Sequence, residues 1–382
     1  MTTFPVPLMA IISVPRGWRL GLPFIGAIAA AWITESMPLI GTAAFAVAVL
    51  FAWVQLPVIS KAQARLVGLG TILAILMFIG AASQAWNPID NSDHLTLSFG
   101  FAALFMLSVL AAGMPRAVLL SGFRMTRYIG IAYAVYAWVL SGSGGRLFGP
   151  AHMNPNAFSG FLAFTALQWL LLQDKITTRQ SFIAGFIFSS VIFTGSRWIL
   201  IVFAVVLLAL FLQRRLSFNG ALIIGMWILT AAWIAVAPTV TVLRHSNIHE
   251  PEIGVVATTA STLERTVVKG SVDVQARLEQ SASPGFMPKG WLGGPIHGNA
   301  MHSIYQRAAV ETGWIGLAIL LIAFGYSLKQ GNGTRRFLIL FLMALGIMDL
   351  YTWWGVQLVP IQWAVMALAV TDRQNLSVEE PV

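Results

Sequence analysis

MHSIYQRAAVETGWIGL, residues 301–317, carries His302 and Arg307 to the edge of an apolar run that continues to about residue 328. A membrane span needs about 20 predominantly apolar residues, and this run fits one. Ionisable groups at the mouth of a span are a functional-site hypothesis by default, because they are expensive to hold there. The stretch follows residues 238–303, the one long polar segment of the chain.

Outward from it, the chain stays apolar. Of its 382 residues, 57% are hydrophobic and 10% are charged. A soluble domain carries about 25% charged residues. Apolar runs of spanning length recur between residues 20 and 370, which points to an all-α, polytopic integral membrane protein with residues 1–382 as one integral domain. Twelve spans are expected, at about 20–36, 38–58, 66–85, 95–113, 126–141, 157–173, 179–195, 198–213, 219–237, 312–328, 337–354 and 356–370. The first two part at Ser36–Met37–Pro38, and the last two form a tight hairpin near Trp353, Trp354 and Gly355. Arg16 and Arg19 before the first run resemble a signal peptide, but the many later spans favour a retained helix.

The net charge of +9 is dispersed between spans and forms no basic tract, so no nucleic-acid partner is expected. Absence of cysteine excludes disulfides and thiolate metal sites. With the N-terminus in the cytoplasm, 15 of the 23 Lys and Arg residues fall on the inner side, as the positive-inside rule requires. The other 8 are Arg146, Arg197, Arg244, Arg265, Lys269, Arg277, Lys289 and Arg307. Both termini then lie inside and segment 238–303 outside. Its middle, 256–281, reads as one or two surface helices, and Pro284, Pro288 and Pro295 make the run up to His302 irregular.

Arg197 follows the turn Thr194–Gly195–Ser196, with Arg179 and Arg214 at distances of 18 and 17 residues. Each interval is about 25–27 Å of helix, roughly one hydrocarbon thickness, so Arg197 marks the outer boundary. It is either functional there or an arginine snorkelling to the interface. Arg277 is either a solvated residue paired with Asp273 or part of a site, and Arg307 either pairs with Glu311 at i+4 or joins that site. Converging guanidinium groups suit a polyanion, because they give bidentate bonds to phosphate oxygens and stay charged. A lipid pyrophosphate at the outer face is the obvious one.

The six histidines all map to outer loops or their edges. His245 and His249 lie at i, i+4 near Glu250 and Glu252, but Pro251 intervenes and no HExxH pattern exists, so no metal is expected. The neutral imidazole of His302 has the chemistry to accept a proton from a sugar hydroxyl near pH 7; the alternative is a histidine packing the start of the span. His297 competes for that role. Gly313 and Gly316 read as small residues that allow close helix packing. Asp349 is the clearest intramembrane acid and has no assigned role.

The pattern His302–Ser303, nine residues, Gly313, two residues, Gly316 resembles the signature of bacterial O-antigen ligases. Thr194–Gly195–Ser196–Arg197 resembles the Ser-Arg element of the wider O-antigen ligase and polymerase superfamily, and His152–Met153–Asn154–Pro155–Asn156 its Asn-containing element. The resemblance covers roughly residues 140–330. It implies a metal-independent, inverting glycosyltransferase of the membrane-embedded C type (GT-C) in the bacterial inner membrane, needing no cofactor. Such an enzyme takes a glycan from undecaprenyl pyrophosphate at the periplasmic face. By position, His302 matches the catalytic histidine and Arg197 the membrane-edge arginine. Arg277 is the choice for a second, loop-borne arginine, with Arg265 as its rival; Arg307 assists, and Asn156 is a candidate substrate-binding residue. The acceptor stays open: lipid A–core for a ligase, or a second lipid-linked glycan for a polymerase. The loop is short for a ligase, and Ser303 stands where Asn is more usual. A transporter or flippase is the rival of another class, but the two related halves common in transporters are not visible here.

Overall fold

The computed structural model describes residues 60–85, 92–114, 116–141, 147–150, 154–171, 175–246, 290–293, 303–348 and 358–375. Among the described residues the fold is all-helical. The elements are α1 (Lys61–Ala85), α2 (Ser92–Ala112), α3 (Arg116–Val139), α4 (Pro155–Leu170), α5 (Thr178–Ser189), the single turn α6 (Val191–Thr194), α7 (Arg197–Leu212), α8 (Phe218–Ser246), α9 (Ile304–Gln330), α10 (Gly333–Met348) and α11 (Leu358–Asn375). The expected runs from residue 66 onward fall on or across these helices wherever they are described. The runs 20–36 and 38–58, the hairpin at Trp353–Gly355, Asp349 and the segment 256–281 lie outside the described residues.

Among the described residues, three helices are long and apolar enough to cross a membrane: Lys61–Ala82 within α1, Phe218–Ala235 within α8, and α9. The outward faces are apolar too. On α7, Ile201, Val205, Leu208 and Leu212 are exposed, and on α8 Leu222, Met226, Leu229 and Trp233 are. Both sets recur at i, i+4, i+7 and i+11, which is one stripe of a helix. Large exposed apolar stripes are what a lipid-facing surface presents.

The interior is built around α4 and α11. Nearly every side chain of α4 is buried, and so is each one from Leu358 to Thr371 on α11. A helix apolar all round belongs in such a position. The start of α4 is written locally: Asn154 is the N-cap, its side chain accepts from the Asn156 amide at 3.0 Å, and Pro155 opens the first turn. Asn at the cap and Pro just inside are both favoured, because they satisfy or remove amides that have no helical partner. Thr177 and Gln180 form a reciprocal capping box at α5. Gln63 of α1 donates through Nε2 to the Ala112 and Met114 carbonyls at 2.6 and 2.7 Å, which closes the end of α2 against the start of α1. These two helices are therefore antiparallel.

Two boundaries differ from the sequence expectation. Residues 116–125, expected as an inner loop, form the first turns of α3. Arg and Leu are good helix formers, so the helix continues past its apolar part without a penalty. Likewise α8 runs to Ser246 rather than 237, so the polar segment begins about nine residues later than expected.

Candidate functional site

Arg197 is the first residue of α7, and the chain reaches it through a left-handed residue. Gly195, at φ 68°, caps α6, and the Ser196 amide donates to the buried Thr194 hydroxyl at 3.3 Å. Glycine adopts that backbone without steric strain. The Leu147 amide donates to the Phe193 carbonyl at 3.0 Å, which ties the chain before α4 to this turn. Arg197 itself is half-buried.

The next residue fixes the position of that turn. The Trp198 indole Nε1 donates to the Ala344 carbonyl of α10 at 3.0 Å. At the adjacent carbonyl, Met343, the Tyr305 hydroxyl of α9 donates at 2.9 Å. Tyr305 is three residues after His302. Two elements more than 100 residues apart are thus anchored to consecutive carbonyls near the C-terminal end of α10. The fully buried Ile304 packs beside Gly346, and beside Gly160 in the second turn of α4 lie Ile199, Leu345 and Leu358. The beginnings of α4, α7, α9 and α11 and the end of α10 therefore share one end of the bundle. Asn156, half-buried, and Arg197 both belong to that end.

Arg307 lies one turn into α9 and is completely buried, as is Glu311. The Arg307 Nε donates to Glu311 Oε1 in an i, i+4 ion pair. The structure takes the pairing that the spacing offers. A buried guanidinium with its carboxylate is close to neutral as a unit, so the pair contributes little net charge to a nearby anion.

Two residues beyond Glu311, the helix breaks. Gly313 sits at φ 72° and ψ −177°, and α9 is two helical segments joined there. The segment Gly290–Gly293, the last described part of the polar loop, fills the break. The Trp314 and Ile315 amides donate to the Gly290 and Trp291 carbonyls at 3.4 and 3.3 Å; in an unbroken helix they would bond Val310 and Glu311. Gly293 is left-handed too, at φ 80°, and lies against the Glu311 carbonyl and the Gly313 amide. A Cβ on either glycine would therefore collide with backbone at or beside the other. The Gly313 to Gln330 portion is 18 residues, or about 27 Å, one hydrocarbon thickness. Gly313 is required for a backbone turn, whereas Gly316 serves helix packing, since a Cβ there would meet Thr312 and Leu73 of α1.

Gly313→Ala is therefore expected to destabilise the protein by roughly 1–3 kcal/mol through its backbone conformation alone, because that region of φ/ψ is nearly glycine-only. Thermal unfolding in detergent measures it, and Gly325→Ala, in open space on the same helix, is the matched control. An equal response from both would show that the break is not needed.

His302, His297, Arg277 and Arg265 lie outside the described residues. What sequence reasoning missed is the shared anchoring on Met343 and Ala344 and the interlock of Gly293 with Gly313. The only local signal for the second was a pair of glycines. No family model matches the chain, and no curated protein matches it.

Proposed function

We propose that the chain is a multi-pass glycosyltransferase of the bacterial inner membrane, with twelve spans and a C-type, membrane-embedded architecture. It moves a glycan from undecaprenyl pyrophosphate to an acceptor hydroxyl at the periplasmic face, with lipid A–core as the first choice of acceptor. One observation carries this reading: the Arg197 turn and the start of α9, directly after His302, are held on adjacent carbonyls of α10. It supports the reading because a single active site needs Arg197 and the start of α9 at the same end of the bundle.

In the reaction, the acceptor oxygen attacks the anomeric carbon of the donor. A new glycosidic C–O bond forms, the bond from that carbon to the pyrophosphate oxygen breaks, and undecaprenyl pyrophosphate leaves with both bonding electrons. His302 accepts the acceptor hydroxyl's proton as the attack proceeds. Arg197 and the loop-borne Arg277 hold the pyrophosphate and stabilise the charge that grows on it, an electrostatic effect that is often the largest in catalysis. Holding two large substrates in register supplies much of the remainder. Arg307 and Glu311 act as a positioning pair that keeps the first turns of α9 in place.

The test is an electrophoretic comparison of lipopolysaccharide and lipid-linked glycans in cells lacking the gene, complemented with wild type or with Arg197→Ala. Expected is full-length glycan stranded on undecaprenyl pyrophosphate, with bare lipid A–core, in both the deletion and the variant. Glycan that stops at one repeat would instead make the protein a polymerase. Normal lipid-linked and transferred glycans in the deletion would defeat the transfer reading for that polymer and bring transport forward.

A further inference from the structure

The opposite end of the bundle holds a second polar feature that the transfer reaction does not use. There, α3, the end of α4, the start of α10 and the end of α11 enclose a cavity of about 210 Å³. Arg124, Arg127, Arg335 and Gln168 line it among apolar walls that include Phe123 and Leu338, and none of the described side chains in that lining is acidic. On α4, Gln168 follows Asn156 by 12 residues, about 18 Å along the helix, so the cavity is well separated from the Arg197 turn.

Gln168 is 2% exposed. Its Oε1 lies 3.1 Å from the Thr126 hydroxyl, whose single proton is shared with the Phe123 carbonyl at 2.8 Å, while its Nε2 has no hydrogen-bond partner. A buried donor in that condition is uncommon and costly unless a ligand or water accepts from it. Arg127 is half-buried with its guanidinium 5.4 Å from the Trp169 ring centroid, and its Nε is likewise without a hydrogen-bond partner. Arg335 is held on the Leu368 carbonyl. Burial, and secondarily the nearby charge of Arg116, pulls its pKa down to about 10. The side chain of Asp372, one turn beyond Leu368 on α11, is outside the described residues.

We propose that this cavity binds a phosphate-bearing anion, with Arg124 and Arg127 gripping the phosphate oxygens and the Gln168 amide donating to one of them. Guanidinium groups suit phosphate in both geometry and charge. Two sources supply that chemistry: the head group of an anionic lipid and a free phosphate from solution. The sequence puts these arginines on the basic, inner side, where basic pockets between helices take lipid head groups.

The experiment uses the purified full chain in detergent, titrated with phosphatidylglycerol, with phosphatidylcholine, and separately with sodium phosphate. Bound lipid is counted by native mass spectrometry, and phosphate binding is read as a rise in unfolding temperature. Wild type is expected to hold phosphatidylglycerol at least about tenfold more tightly than phosphatidylcholine. The Arg124→Gln/Arg127→Gln double variant is expected to lose at least about tenfold of that, as for charged hydrogen bonds generally. Gln168→Leu, which changes no charge, should weaken binding several-fold, whereas Lys175→Gln, an exposed basic residue outside the lining, should not. A phosphate response with the same arginine and glutamine dependence, in the absence of a lipid response, supports the site and makes solution its source. If neither probe distinguishes wild type from the double variant while that variant elutes as folded protein, the proposal fails. It fails also if Gln168→Leu and Lys175→Gln behave alike, because the attraction would then be general charge rather than this cavity.

Discussion

His302→Ala is expected to lower glycan transfer by about 10²–10⁴-fold, the usual loss on removing a general base, while the protein stays folded. The neighbours of His302 supply the reason to expect a folded variant. Ile304 is fully buried beside Gly346, and Tyr305 is bonded to the Met343 carbonyl, so the start of α9 has two anchors of its own. The measurement is single-turnover transfer from lipid-linked glycan in membranes containing wild type or variant, at matched protein levels. Tyr305→Phe is the companion variant: it removes the anchoring hydroxyl but keeps the ring. It is expected to slow transfer by less than His302→Ala and to lower stability by about 1 kcal/mol, the net worth of one hydrogen bond. If His302→Ala retains activity within tenfold of wild type, His302 is not the base. His297 would then be the next residue to test.

The second large effect is structural. Glu311→Ala removes the carboxylate that the buried Arg307 guanidinium bonds. Breaking one half of a buried pair typically destabilises by about 3–5 kcal/mol, because a charge is left in a low-dielectric interior without its counterpart. Unfolding in detergent, followed by heat or denaturant, should show that loss. The combined Arg307→Met/Glu311→Leu variant should recover most of it, since replacing both charges by apolar groups of similar volume is often neutral. Recovery of stability without recovery of transfer would assign the pair a role in positioning the α9 entrance. A loss below about 1 kcal/mol for Glu311→Ala would mean that the pair behaves as an exposed one and that water reaches it.

The contrast between local and distant features runs through the whole molecule. The Asn154–Pro155 start of α4 and the Arg307–Glu311 pair could be read from residues three or four apart, because caps and i, i+4 pairs involve only one or two turns of backbone. The apolar runs gave the positions of the helices from residue 66 onward for the same reason: burial in lipid or core acts on each segment separately. The boundary of α3 was misread because helix propensity, not apolarity, decides where a helix ends.

By itself, then, the sequence determined that this chain is helical and apolar enough to meet a membrane, roughly where the described helices from residue 66 onward lie, and which side chains carry charge beside them. Only the tertiary structure decided that Trp198 and Tyr305 share neighbouring carbonyls of α10, that Gly293 and Gly313 interlock to break α9, and that Arg124, Arg127 and Gln168 wall one cavity. The physical reason is range. Composition and periodicity report the partition of one segment between water and apolar surroundings. Which helix ends meet depends on packing between distant segments, such as Gly160 of α4 and Leu358 of α11, 198 residues apart, and no local pattern records that choice.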